Sequence, residues 1–277
     1  MHDAKDTVEQ HYEHGALLDA ILNRLRESGK DLDRLSLQDL APVDEFHIRG
    51  REATLELARR ADIQPACRVL DVGCGLGGSA RYLADAHHCH VTGIDLTQEY
   101  VDIANDLSRR VNLSERVSFK RASALDLPFP DNSFDVVWTE HVQMNIADKT
   151  RFYSEIARVL IPGGILLFHD VFSGNGLALH YPVPWAESAA ISYLAAPSDI
   201  QDTLTSLGLV IEAWDDTSDR SLEWFAKATE KLKTLPAPPF GIGLLMGPTA
   251  REKFENMIGN LRERRFSVVQ AVARKVS

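Results

Sequence analysis

Long apolar runs are what this sequence most clearly lacks. No stretch of about 18 apolar residues occurs, so a membrane span is not expected. No apolar run follows a basic start, so a signal peptide is not expected either. Cysteine is scarce. Cys67, Cys74 and Cys89 make an odd count with no C-x-x-C pair, which argues against a disulfide framework or a metal site of the zinc type. A reducing cytoplasm fits that usage. Cationic charge is also in deficit: 30 Lys and Arg stand against 40 Asp and Glu, a formal net charge of −10. Phosphate contacts dominate nucleic-acid affinity, so no nucleic-acid partner is expected. The short basic cluster Arg262, Arg264 and Arg265 is interrupted by Glu263 and reads as a solvated helix end. Internal repeats and low-complexity tracts are absent. What is present is an ordinary globular composition, 44% hydrophobic and 25% charged over 277 residues, enough for one large α/β domain or a domain with a cap.

Apolar periodicity then divides the chain. Leu17, Leu18, Ile21, Leu22 and Leu25 recur at helical spacing and predict one amphipathic helix over the first ~30 residues. A polar connector broken at Pro42 follows, and a helix is expected over 51–61. From there strands are expected at 68–72, 90–95, 117–121, 134–139 and 165–171. Helices are expected at about 79–86, 98–111 and 149–160, the last stopped by "IPGG". Such alternation predicts an α/β fold, a parallel sheet covered on both faces. The Gly- and Pro-rich "FSGNGLALHYPVPWA" after Val171 reads as a loop or lid. A helix over 198–207 with Ser198 as N-cap, a strand over 209–214, a helical insertion broken by "PAPPFGIG" and a closing strand "FSVVQAVAR" complete the chain.

The run "VLDVGCGLGGSARYLA", 69–84, is a strand, a glycine loop and a helix, the arrangement that holds adenine-containing cofactors. Its glycines fit both G-x-G-x-x-G and G-x-G-x-G, so the loop alone does not choose between NAD(H) and S-adenosylmethionine. Asp95, ~20 residues on, suits ribose hydroxyls in either case. Asp71 divides them. An anionic pyrophosphate would be repelled by this acid, whereas the α-ammonium group of S-adenosylmethionine would be attracted. The runs "ASALDLPFPDNSFDVVW" and "EIARVLIPGGILLF" are likewise foreign to the dehydrogenase fingerprint. The expected cofactor is S-adenosyl-L-methionine.

"VLDVGCGLGG", "VTGIDLTQEYVDIA", "LDLPFPDNSFDVVW" and "RVLIPGG" together resemble the class I S-adenosylmethionine-dependent methyltransferases, over roughly residues 65–172. The resemblance is to the small-molecule group that includes ubiquinone/menaquinone C-methyltransferases, sugar O-methyltransferases and sarcosine/dimethylglycine N-methyltransferases. It implies a Rossmann-like seven-stranded, mostly parallel sheet with helices on both faces and a helical cap. The expected divisions are 1–62 as an N-terminal cap segment, 63–216 as the cofactor-binding core, 217–264 as the helical insertion of the cap and 265–277 as the last core strand. For the cofactor, it implies Asp71, Gly73 and Gly75 on the methionine and ribose side, with Asp95 on the ribose. Leu96, Ala124 and Leu125 would frame adenine, and Glu140 and His141 would pass under the methionine portion. Ser123 stands where the group often has an acid, leaving the adenine amino group to Ser123 or to Asp126.

Methyl transfer needs an in-line nucleophile and exclusion of water, and little else. The acceptor is therefore sought among polar residues at the carboxyl edge of the sheet. His141 and Asp170 are the candidate catalytic groups, as base or as substrate-orienting residues. His47, Arg51, Gln143, Asn145 and Asp170 are the candidate substrate contacts, Arg51 as a fork for a carboxylate. Several O-methyltransferases of the group place a histidine at or beside the position of Asn145, and its absence favours N-methylation of a small amine such as sarcosine or dimethylglycine. C- or O-methylation of a quinone, phenol or sugar stands as the rival, favoured by a large apolar pocket. A non-catalytic S-adenosylmethionine-binding module stands as the alternative of another class. The expected partner is a small-molecule methyl acceptor, with no metal and with homo-oligomerisation open.

Overall fold

The strand β1 (Arg68–Val72) is buried along all but its first residue, the burial expected of a central parallel strand covered on both faces. In the computed structural model, which describes residues 4–13, 15–234, 241 and 243–276, it sits mid-sheet. The other strands are β2 (His90–Asp95), β3 (Val117–Arg121), β4 (Phe134–Glu140), β5 (Leu160–Ser173), β6 (Leu209–Asp216) and β7 (Phe266–Lys275). The helices are α1 (Ala4–Tyr12), α2 (Leu17–Glu27), α3 (Leu37–Asp44), α4 (Arg51–Ala58), α5 (Gly78–Ala86), α6 (Gln98–Arg110), α7 (Lys149–Val159), α8 (Pro197–Ser206), α9 (Ser218–Thr234), α10 (Gly243–Met246) and α11 (Ala250–Arg262).

The seven strands form one sheet in the order β3-β2-β1-β4-β5-β7-β6, parallel except for β7, which runs antiparallel between β5 and β6. Strand alternation splits the core between the two faces. Leu70, Val72 and Val137 pack with Phe152, Tyr153 and Ile156 of α7. Val69, Val136 and Trp138 pack with Ala80, Leu83 and Ala84 of α5. A third cluster joins α2 and α3 to α6 through Ile21, Leu25, Leu40, Val43, Tyr100 and Leu107. This cluster brings the N-terminal helices to the carboxyl edge of the sheet.

The structure corrects four local expectations. The first ~30 residues are two helices, separated around Gly15 at φ +78°. The connector before Gly50 contains α3, started by a capping box in which Asp39 N–H donates to Ser36 Oγ (3.3 Å) and Ser36 N–H to Asp39 Oδ2 (2.9 Å). Pro42 lies inside that helix. The residue preceding α8 is Ala196, with Pro197 in its first turn, so Ser198 is not the cap. "IPGG" does end α7, but it already belongs to β5, whose pairing with β4 shifts register between Phe134 and Val136. The break expected at "PAPPFGIG" lies almost wholly outside the described residues.

Candidate active site

The strand order reverses between β1 and β4, and an open α/β sheet leaves a crevice at the carboxyl ends of the strands there. The glycine loop between β1 and α5 forms its floor. Gly73 stands at φ +73°, and a Cβ on it would lie 2.2 Å from Val142 Cγ2. Gly75 stands at φ +52°, but a Cβ there would meet nothing within 4 Å. One glycine is needed for packing; the other presents bare backbone to open space. Backbone N–H groups of Gly73 and Cys74 donate to Ile94 O at 2.8 and 2.9 Å and tie the loop to β2.

Over this loop lies a cavity of about 380 Å³, within the span of small-molecule sites. Asp71, Gly73, Gly75, Asp95, Leu96 and Glu140 line it, together with Ser123, Ala124 and Leu125 after β3. His47, His141, Met144 and Asn145 line it as well, with Val8, Tyr12, Pro184, Trp185, Tyr193 and Leu245 from the N-terminal helices, the 172–197 segment and α10.

Three acids converge on the loop side. Asp71 is 2% exposed and its Oδ2 has no hydrogen-bond partner. Burial, then Glu140 and Asp95, push its carboxyl well above the usual range. Asp95 accepts from Gly75 N–H (3.0 Å) and Thr97 N–H (2.9 Å), and burial still raises it. Glu140 accepts from Ser79 Oγ (2.5 Å) and Trp138 Nε1 (2.9 Å). No Lys or Arg among the described residues lines the cavity. The pocket is short of positive charge.

Beside these acids stand three histidines in two charge states. His47 Nε2 donates to Glu45 Oε2 at 2.9 Å and lies 3.6 Å from Glu140 Oε1. Burial alone would lower its pKa, but Glu140 and Glu45 hold it up at about 9, so it is an imidazolium at neutral pH. Glu45, His47 and Glu140 bring one ligand atom each within 4.8 Å of one another. The charged ring lies against both carboxylates and offsets one of their two charges. His169, with no solvent exposure, places Nε2 3.0 Å from Ile48 O, and burial with the His47 charge brings it down to about 3. His141 is pushed well below the ordinary value by burial, then by His169 and His47, and is therefore neutral. Its backbone stands at φ +52°, a left-handed conformation uncommon for histidine.

Other expected residues lie elsewhere, each for a visible reason. Arg51 is not on the cavity wall: its Nε lies 2.5 Å from Glu45 Oε1 and its guanidinium sits over the Tyr82 ring. Asp170 is 1% exposed and caps a turn, with Oδ2 accepting from Val142 and Gln143 N–H at 2.9 Å each. Burial raises its carboxyl to about 6 against those bonds, yet it does not line the cavity. Gln143 is buried behind the wall. Its carbonyl, with those of Ile146 (2.5 Å) and Tyr193 (2.6 Å), accepts from Lys149 Nζ. The side chain of Asp126 is 91% exposed and turned to Arg151, away from the cavity. Asn145 does line it, but its amide is committed: Oδ1 accepts from Tyr12 OH (2.9 Å), and Nδ2 donates to Trp185 O (2.9 Å) and Ile191 O (2.8 Å).

Sequence reasoning missed Tyr12, Phe46, Ser79 and Tyr193 on the wall. Ser79 stands in the first turn of α5, directly after the glycines, and was within reach of that motif. The other three are brought in only by tertiary packing.

A methyltransferase-domain family model matches residues 70–168. The chain is 33% identical over 185 residues to the 27-O-demethylrifamycin SV methyltransferase of Amycolatopsis mediterranei (strain S699), covering 66% of this chain and 68% of that protein. It is 30% identical over 193 residues to the glycine/sarcosine/dimethylglycine N-methyltransferase of Actinopolyspora halophila, covering 70% of this chain. It spans only 34% of that relative's own length. The solved structure of Haemonchus contortus phosphoethanolamine N-methyltransferase 2 in complex with S-adenosyl-L-methionine has the same fold, with a TM-score of 0.77 at 20% identity. That match covers 100% of this chain and 61% of the other. The chain belongs to the methyltransferase-domain family, the Rossmann-like class I enzymes whose cofactor is S-adenosylmethionine.

Proposed function

We propose that this protein transfers a methyl group from S-adenosylmethionine to oxygen or carbon of a neutral, largely apolar small molecule. The observation that carries the reading is the cavity's charge. Asp71, Asp95 and Glu140 face it with no Lys or Arg among the described residues and against a single His47 imidazolium, and Asp71 Oδ2 is a buried orphan. A cationic sulfonium with an ammonium group fits that deficit; a pyrophosphate does not. Asp71 would hold the ammonium group, Asp95 the ribose hydroxyls, and Gly75 would leave room for the close approach of the ligand. The cofactor supplies an electrophilic methyl group.

The chain's own residues supply position, dryness and a proton acceptor. Val8, Tyr12, Pro184, Trp185 and Leu245 line the cavity, which is the support for reading residues 1–62, 172–197 and 217–264 as a cap that would exclude water. His141, neutral and on the wall, would accept the proton of a hydroxyl acceptor at Nε2 once the long hydrogen bond that Ile48 N–H donates there (3.4 Å) is released. Small carboxylate-bearing amines lose their support here, since Arg51 is held by Glu45 outside the cavity and the His47 imidazolium on the wall is already paired with Glu45 and lies close to Glu140. The 30% identity to the sarcosine-type N-methyltransferase is what keeps N-methylation as the second reading. A cytoplasmic setting belongs to the same proposal, supported by three free cysteines. No helix among the described residues is long and apolar enough to cross a membrane.

The test is formation of S-adenosylhomocysteine from S-adenosylmethionine across a panel of phenols, quinols, hydroxylated polyketides, sarcosine and dimethylglycine. Turnover is expected with the aromatic and polyketide hydroxyls. Fastest turnover with sarcosine or dimethylglycine would install the second reading. Thermal stabilisation by S-adenosylhomocysteine without turnover of any acceptor would leave a binding module.

A further inference from the structure

At the amino-terminal edge of the sheet, far from the cavity, two of the three cysteines meet. Cys67 immediately precedes β1 and Cys89 immediately precedes β2, and their sulfurs lie 3.0 Å apart. The backbone fixes this meeting rather than chance side-chain contact. Ala66 N–H donates to His88 O (3.0 Å), His90 N–H donates to Cys67 O (2.9 Å), and the paired register opens with Arg68 beside His90. Neighbouring strands run about 4.8 Å apart, inside the Cα separation of roughly 4.4–6.8 Å that a disulfide spans. The scarce, odd cysteine count thus conceals an adjacent dithiol.

The two thiols are unequal. Cys67 is partly exposed, while Cys89 has no solvent exposure. The hydrogen bond from Cys89 lowers the Cys67 pKa, and the same contact, with burial, raises that of Cys89. A reachable sulfur that favours the thiolate beside a buried partner is the arrangement of an attacking and a resolving cysteine. Cys74, by contrast, is buried in the glycine loop, where burial pushes its thiol well up.

We propose that Cys67 and Cys89 form a reversible redox pair that closes to an intramolecular disulfide with a low-molecular-weight disulfide such as oxidised glutathione. The Cys67 thiolate attacks one glutathione sulfur, forming a mixed disulfide and releasing one glutathione thiolate. Cys89, losing its proton, then attacks the Cys67 sulfur and releases the second. Two thiols are oxidised and one glutathione disulfide is reduced to two thiols. The closed bond would tie the ends of a segment holding β1, the glycine loop and α5. It would therefore restrict the unfolded chain while leaving the loop's geometry alone. The five residues of β1 separate Cys67 from Gly73, six steps of ~3.3 Å or about 20 Å.

The test incubates the full chain with oxidised glutathione, blocks remaining thiols with iodoacetamide, and maps tryptic peptides without reduction. Cleavage after Arg60, Arg68, Arg81 and Arg109 places Cys67, Cys74 and Cys89 in three different peptides. The expected product joins peptide 61–68 to peptide 82–109, with Cys74 alkylated. The oxidised protein should melt several degrees higher, and its affinity for S-adenosylhomocysteine should stay within about twofold, since the pair lies ~20 Å from the loop. Cys67→Ser should abolish the linked peptide. Cys89→Ala should instead leave a persistent glutathione adduct on Cys67. Alkylation of both cysteines after oxidation, a stable adduct on Cys67 with Cys89 free in the unsubstituted protein, or a bond between two chains would each overturn the proposal.

Discussion

Arg81 Nη2 lies 2.6 Å from Asp44 Oδ1, and neither side chain has any exposure to solvent. The pair joins two parts of the chain that the sequence alone left separate. Asp44 ends α3 in the N-terminal segment; Arg81 stands in α5, directly behind the glycine loop. Arg81 Nη1 also donates to Ser108 Oγ (3.1 Å) of α6. Gly78 permits the approach, because a Cβ there would lie 2.4 Å from Asp44 O. The loop is thus braced against the segment that carries Asp44, Phe46 and His47 into the cavity.

Asp44→Ala is accordingly expected to cost about 3–5 kcal/mol, because it leaves a buried guanidinium without its charge partner. Gly78→Ala should destabilise as well, since the obstacle is backbone. A hydrophobic pair at both positions, Asp44→Leu with Arg81→Met, should recover much of the loss. Urea denaturation reads all three. A loss below about 1 kcal/mol in Asp44→Ala would show that the pair does not brace the loop.

The sheet was legible in the sequence because each strand is a short apolar run bounded by a turn signal, and six strand starts coincide with those expected. Asp71 and the glycines were legible because chemistry and backbone freedom demand those residue types at that spacing. The acceptor side was not. Arg51 looks like a free fork in sequence, but Glu45 lies six residues away and claims it only once α3 and α4 have folded together. Asp170 at a strand end reads as a site acid until two loop N–H groups are found on it. Tyr12 carries no signal at all: its partner Asn145 is 133 residues away. Ion pairs and lids are decided by tertiary packing, which local pattern does not encode.

The charge on His47 should appear in the pH dependence of stability. Its folded pKa, about 9, is above the ordinary 6.5, so its contribution is complete below 6.5 and is lost as pH rises through 9. At 1.36 kcal/mol per pH unit the loss amounts to about 3 kcal/mol by pH ~10. Lys149, held down to about 8 by burial, acts in the opposite sense over the same range. The difference between the unsubstituted protein and His47→Gln removes that common background. This difference should be largest near pH 6 and shrink steadily toward pH 10. A constant difference across that range would mean that His47 is not the imidazolium described.

The roles of His141 and Asp170 separate in kinetics. If a hydroxyl is methylated with His141 as proton acceptor, His141→Ala should lower kcat by about 10²–10⁴ with little change in KM. Asp170→Asn should act differently, because its carboxylate caps the Val142–Gln143 turn and does not reach the cavity. Its signature should be reduced thermal stability and a moderate loss in kcat, with the pH dependence of the remaining activity unchanged. Arg51→Ala should leave KM for a neutral acceptor near its starting value, since the guanidinium pairs with Glu45. The measurements are kcat and KM against pH for the three variants with the best acceptor from the panel. An amine acceptor would give another pattern: activity rising with pH as the neutral amine fraction grows, and only a moderate effect of His141→Ala. A large rise in KM for carboxylate-bearing acceptors in Arg51→Ala would place that arginine in the substrate site and restore the small-amine reading.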